Sequence, residues 1–302
     1  MSAPEQASAP AARAGYLAFG LTTLVWGSTW LAIKDQLGAV PPQWSVTWRF
    51  ALAALGMFAL ALIRRENLRP DRRAWPVAGA VGFFQFFLNF QMVYQAERYL
   101  TSGLVAVLFA LLIVPNAVLA RSFLGTRITA RFAAGSAIAI GGIALLILHE
   151  YRSAAASSSI LVGLALTGGA LLSASIANVL QAGRQARATS IVALLAWAML
   201  AGSLADAAWA WIMTGPPVID LSPRYLAGVA YLGLIGSVLT FPLYAMLLRE
   251  WGPGRAAYNG VLIPVVAMAL STLFEGYRWT GLAASGAALA VIGLIVALGG
   301  RK

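Results

Sequence analysis

Apolar runs about twenty residues long recur along the chain, separated by short stretches that are charged or rich in Pro and Gly. Read as windows, they fall near 15–34, 45–63, 75–96, 103–120, 132–149, 160–181, 190–214, 225–248, 256–274 and 280–299. At 1.5 Å per residue a helix of this length crosses a hydrocarbon core of about 30 Å. Strands of a membrane barrel need only about ten alternating residues, so the pattern predicts helices. The expected architecture is an all-α integral membrane protein of ten helices lying in the lipid bilayer, preceded by a polar tail over 1–14. The first run continues unbroken past Tyr16 to Lys34, which predicts a retained helix and not a cleaved leader.

Composition agrees. Hydrophobic residues make up 60% of the chain and charged residues 10%, against roughly 25% charged in a soluble domain. Fifteen of the 21 Lys and Arg sit at one set of helix ends, including Arg64, Arg65, Arg69, Arg72 and Arg73 in one connection. Lys34, Arg98, Arg152, Arg224 and Arg278 lie at the other set, and Arg49 lies inside a run. Basic connections stay in the cytoplasm, so both termini are expected there, in a multi-pass protein of the bacterial inner membrane. The net charge of +11 is mostly this topology signal. Scattered over short loops, it does not point to nucleic acid. With no cysteine and only His149, there is no basis for a disulfide, a thiolate or multi-histidine metal site, or a cofactor. The chain also lacks a G-x-S-x-G elbow and a phosphate-binding loop, which argues against an enzyme and against direct ATP drive.

An internal repeat emerges when residue i is set against residue i+151. Leu119–Gly142 then lies over Leu270–Gly293 with ten identities in 24 positions, among them Phe123/Phe274, Gly125/Gly276, Gly135/Gly286 and Gly142/Gly293. Two units follow, 15–152 and 158–300, each of five helices. Five is odd, so the second unit starts on the opposite face and the repeats are inverted, an arrangement that places carrier sites near the midplane. Spans five and ten are the richest in Gly and Ala. They read as packing elements and as a candidate homodimer contact, since small residues let helices approach closely in lipid.

Several motifs resemble one family. "VWGSTWLAIK" followed by Pro41, Pro42, Arg49 and Phe50 is similar to the start of EamA-type carriers of the drug/metabolite transporter superfamily. "AERYLTSGLVAVLFAL" resembles the junction of their third and fourth helices, and Gly260–Gly293 the end of their second repeat. The resemblance covers nearly the whole chain. It implies an exporter of small metabolites, amino acids or drugs with a cavity lined by helices 1, 3, 4, 6, 8 and 9. Two departures stand out. Leu124 occupies the place of a glutamate often found after the fourth helix, and Pro115 lies two residues deeper in its helix than Pro264 does in the second repeat.

The candidate small-molecule site follows from polar groups inside apolar runs. Trp26, Thr29 and Trp30 share one helix face, with Lys34 a turn further on. The alternative is a threonine bonded to its own helix and tryptophans packed between helices. Gln85 and Asn89 share a face of the third span, Gln91 and Gln95 another. Glu97 precedes the fourth span and resembles an acid present there in part of the family. Asn178 lies in the sixth span. Tyr258 and Asn259 flank the carbonyl of Gly260, which Pro264 leaves without its helical donor. Arg49 and Asp206 are charges inside spans and could pair. Three substrate classes remain open on this evidence: amino acids or related zwitterions, cationic drugs exchanged for protons, and lipid-linked substrates.

Overall fold

A computed structural model describes residues 9–38, 40–69, 71–153, 157–250 and 259–298. Among these residues the chain is helical, apart from an isolated bridge between Leu37 and Val40. Nine helices are long and apolar enough to cross a membrane: α1 Gly15–Gln36, α2 Pro42–Ile63, α3 Trp75–Ala96, α4 Ser102–Leu124, α5 Ala130–His149, α6 Ser159–Ala182, α7 Ile191–Thr214, α8 Pro223–Tyr244 and α10 Gly281–Leu298. The shorter apolar helix α9, Asn259–Phe274, begins where the described chain resumes. The ends of the expected spans lie within a few residues of these bounds.

Helix ends carry the expected local chemistry. Thr101 caps α4 by accepting from Leu104 N–H, Ser190 caps α7, and Ser222 caps α8. Gly125 and Gly276, paired by the 151-residue offset, both stand at φ +69° just past α4 and α9. A side chain is strained at such a φ.

Two helices are not regular α. A π-helical stretch covers Gly82–Asn89 in α3, and another covers Tyr231–Leu239 in α8. They fall at nearly equivalent places of the two sequence repeats. In α8 the Ser237 hydroxyl donates to the Leu232 carbonyl five residues back, at 2.9 Å. Helix α4 tightens into a 3₁₀ turn at Ala110–Leu112. Pro115 explains the position of that turn, because it has no N–H for the carbonyl of Leu111.

The helices pack as two groups. One core cluster joins α2 and α3 to α7 and α8, with Phe50, Met57, Phe86, Tyr94, Leu195 and Met199 buried in it. A second joins α4 and α5 to α9 and α10 through Leu104, Leu108, Leu146, Met268 and Ala290. Helix α1 runs against α4, α8 and α9, while α6 runs against α3 and α4.

The closest approach is between α5 and α10. A Cβ built on Gly135 would stand 2.2 Å from Ala297 N and 2.6 Å from Gly293 O; one on Gly142 would stand 2.4 Å from Ala290 N and 2.6 Å from Gly286 O. As residue number rises along α5 it falls along α10, so the two run antiparallel. The glycine faces of both helices are therefore used against each other within the chain.

Candidate substrate site between the two helix groups

Helix α1 carries the predicted aromatic face, and the structure gives each residue on it a partner. Trp26 is half-buried. Its ring lies 5.6 Å from Phe241 and 5.1 Å from Tyr244, and its Nε1 donates to Gly236 O at 3.2 Å. That carbonyl lies in the π-helical part of α8 and also receives the Thr240 hydroxyl at 2.7 Å. Trp30 is half-buried too, 5.0 Å from Phe109 of α4, and both rings abut the two core clusters. Rings from α1, α4 and α8 thus meet where the helix groups adjoin. Thr29 is buried and donates to the carbonyl of Trp26 at 2.8 Å, with its methyl against Gly236. Its hydroxyl serves its own helix.

Lys34 neither points away to solvent nor pairs with an acid. Its Nζ donates to the carbonyls of Glu97 and Leu100, closing the turn between α3 and α4. The Glu97 side chain itself is fully buried, and neither carboxyl oxygen meets a donor among the described residues. Burial raises its pKa well above the ordinary carboxylate range; Lys34 opposes the rise, Glu275 adds to it and Arg49 opposes it. Glu275, just past α9, accepts from the backbone N–H and hydroxyl of Ser102 at 3.1 and 2.5 Å, holding the start of α4.

The amides of α3 have separated roles. Gln85 is half-buried with an unpartnered Oε1, and Asn89 is buried and donates to Gln85 O at 3.3 Å. Gln91 donates to Asp206 Oδ1 at 2.7 Å. Asp206 and Arg49 form no ion pair: among the described residues the one salt bridge is Arg224–Asp35 at the surface. The guanidinium of Arg49 lies 4.4 Å from the Phe90 ring centroid and 5.0 Å from that of Phe50. Contacts of this kind are worth about 0.5–2 kcal/mol. Asn178 donates to Asn116 of α4 at 3.3 Å. Asn259 is buried at the start of α9, where Thr23 donates to its Oδ1 and its Nδ2 donates to the Thr22 hydroxyl at 2.9 Å. Tyr258 lies outside the described residues.

The structure thus brings Trp26, Trp30 and Asn259 onto one side of α1 with α4, α8 and α9, and it puts Lys34 with Glu97 at one end. Asn178 joins α4 through Asn116. Phe109, Phe241, Thr22, Thr23 and Asn116 join the assembly without having been singled out. Phe241 alone carried a signal, its pairing with Phe90 at the repeat offset. Two surface hollows, about 440 and 410 Å³, lie at opposite ends of the molecule, one beside Arg121 and Gly125, the other beside Leu37, Gln43 and Arg98.

Comparison with known proteins adds the context. The model of the EamA-like transporter family matches residues 13–148 and again 160–299. The protein PagO of Salmonella typhimurium is 27% identical over 262 residues, 86% of this chain and 84% of that protein. A probable amino-acid metabolite efflux pump of Escherichia coli is 24% identical over 301 residues, 93% of this chain and 94% of that one. The inner membrane transporter YedA of Escherichia coli is 28% identical over 255 residues, 84% and 80% of the two chains. A solved crystal structure superposes with a TM-score of 0.68 at 24% identity, covering 94% of this chain and 96% of that one. With family matches over nearly all of its length, a bundle of apolar helices and relatives that are transporters and not enzymes, the chain belongs to the EamA-like transporter family and is a multi-pass transporter of the inner membrane.

Proposed function

We propose that this transporter exports small polar metabolites, amino acids or related zwitterions first among them, by alternating access of two inverted five-helix repeats, 15–152 and 158–300. Both termini lie in the cytoplasm, the side with most of the Arg and Lys. The observation that carries the reading is an exchange of contacts between α5 and α10. Gly135 meets Gly293, and Gly142 meets Gly286. Under the 151-residue offset each contact is the mirror of the other, as a two-fold axis between halves requires. Because the paired helices are antiparallel, that axis lies across them, in the membrane plane. The contacts of α1 with α8 and α9 and those of α6 with α3 and α4 obey the same exchange. Ten crossings follow from two repeats of five.

The substrate site is proposed from Trp26, Thr29, Trp30, Lys34, Gln85, Asn89, Glu97, Asn178, Tyr258 and Asn259, centred on the rings that α1, α4 and α8 bring together. A mainly apolar wall with a few polar anchors suits a small zwitterion. The similarity to the probable amino-acid metabolite efflux pump of Escherichia coli supports the same substrate class. A homodimer through α5 and α10 would use their outward faces, since the glycine faces are occupied within the chain.

Counterflow of a mixture of labelled amino acids into liposomes containing the purified protein tests the reading. Saturable uptake is expected from the wild type. Trp30→Ala should slow it roughly tenfold or more, the cost of losing a buried aromatic anchor. No uptake of any amino acid by folded protein would overturn the substrate class, and unchanged uptake in Trp30→Ala would remove Trp30 from the site.

A further inference from the structure

The turn between α3 and α4 buries an acid and a base that do not satisfy each other. Both oxygens of Glu97 lack donors, while Nε and Nη1 of Arg49 and Nε2 of Gln36 lack acceptors. Glu97 is 0% exposed and Arg49 3%. An ionised carboxylate so placed would forfeit all its hydrogen bonds at a cost of several kcal/mol. A neutral carboxyl costs far less. Glu97 lies within electrostatic range of Arg49, and a buried acceptor with buried donors left open in one region fits one of two states of a switch.

We propose that Glu97 is the proton-binding group of this transporter: buried as here it carries a proton, and on rearrangement it releases that proton to water and receives the unsatisfied N–H groups of Arg49 as a carboxylate. One O–H bond breaks, the proton leaves as hydronium, and nothing else changes covalently. The inference deepens the carrier reading and rests on it, adding protons as the coupling ion.

The surroundings support the assignment. From α1, Lys34 faces the turn but is committed to the carbonyls of Glu97 and Leu100. From α2 comes Arg49. On α3 itself Tyr94 donates to Gln36 Oε1 at 3.1 Å and interacts with Arg49. From beyond α9 comes Glu275, held by Ser102. Arg49 is therefore the positive group with N–H groups left for the carboxylate, and one negative group, Glu275, penalises it. Burial keeps the carboxyl protonated above the ordinary carboxylate range, so rising pH favours leaving this conformation and falling pH favours keeping it. The 410 Å³ hollow is lined by Leu37 and Arg98, the chain neighbours of Gln36 and Glu97.

Two measurements test the proposal. Infrared titration of the purified protein should show a protonated carboxyl band at neutral pH that fades as pH rises and is missing in Glu97→Gln. In Arg49→Gln the band should persist to higher pH, because the positive charge that favours the carboxylate is gone. An identical band in wild type and Glu97→Gln, or an ionised Glu97 at neutral pH, overturns the proposal. In liposomes, the wild type should accumulate the labelled amino-acid mixture against a proton gradient, roughly tenfold per pH unit for one proton per substrate. In Glu97→Gln the ratio of gradient-driven to gradient-free uptake should fall to unity. Wild-type counterflow that ignores the gradient overturns the coupling and leaves the carrier reading standing. Absence of counterflow overturns the carrier reading, while the infrared titration still decides whether Glu97 binds a proton.

Discussion

At the residue scale, the polar groups that the chain keeps inside apolar helices divide into those committed to backbone and those committed across helices. Thr29 belongs to the first kind, as its hydroxyl serves the carbonyl of Trp26. Asn259 belongs to the second, joined to Thr22 and Thr23 of α1. Thr22 retains a bond to Ala18 O without Asn259, at 2.8 Å, so the loss on truncation falls mainly on Thr23. Asn259→Ala should destabilise the purified protein by about 1–3 kcal/mol, the usual cost of orphaning a buried polar partner, and a thermal melt in detergent measures it. Asn259→Asp keeps an acceptor for Thr23 and should recover little, because it loses the donor to Thr22 and adds a buried charge. That Asn259 is polar and sits near Pro264 was legible in the sequence. That its partners are two threonines on α1 was not, because periodicity gives a residue's face and not the helix it meets. The same gap hid the bond from Gln91 to Asp206 Oδ1.

At the element scale, the span boundaries were legible because water and lipid impose them on composition. Departures from regular helix were not. The π-helical stretches at Gly82–Asn89 and Tyr231–Leu239 have no proline to announce them. They sit where Gly82 and Gly233 let a neighbouring backbone come near, against Ala198 O at 2.5 Å and Arg49 O at 3.0 Å from a built Cβ. These two glycines are paired at the repeat offset, the one trace of the feature in the sequence. The glycines of α5 allow a sharper test. In lipid, helix association rests on close packing more than on burial of apolar area. Gly142→Val would drive its side chain into the backbone of α10, and overpacking of this kind costs roughly 1–3 kcal/mol or more. Gly141, with nothing within 4 Å of its built Cβ, is the matched control. Gly141→Val should melt close to wild type and Gly142→Val well below it. Equal melting of the two would mean that α5 and α10 do not meet along this face.

At the scale of the whole molecule, α1 is tied at two levels to helices of the second repeat. Within the helix, Thr22 and Thr23 hold Asn259 of α9; at its C-terminal end, Asp35 pairs with Arg224 of α8. Alternating access requires these ties to break one at a time. They differ in strength for a physical reason. The Asp35–Arg224 pair is exposed, with side-chain exposures of 39% and 82%, and exposed ion pairs contribute only about 0–1 kcal/mol. The Asn259 bonds are buried and cost more to open. In the proposed orientation the periplasmic end is therefore the easier to part, as suits an exporter releasing its cargo outward. The chain has no cysteine, so a variant carrying Asp35→Cys and Arg224→Cys can be bridged there alone by a short, reducible bifunctional thiol reagent. Bridging should cut counterflow to background and reduction should restore it, whereas neutralising the pair with Asp35→Asn should leave counterflow within about twofold of wild type, given how little a surface pair is worth. Full transport with the bridge in place would mean that α1 and α8 do not separate at this end, and the rocking of the two repeats would have to be abandoned as the mechanism.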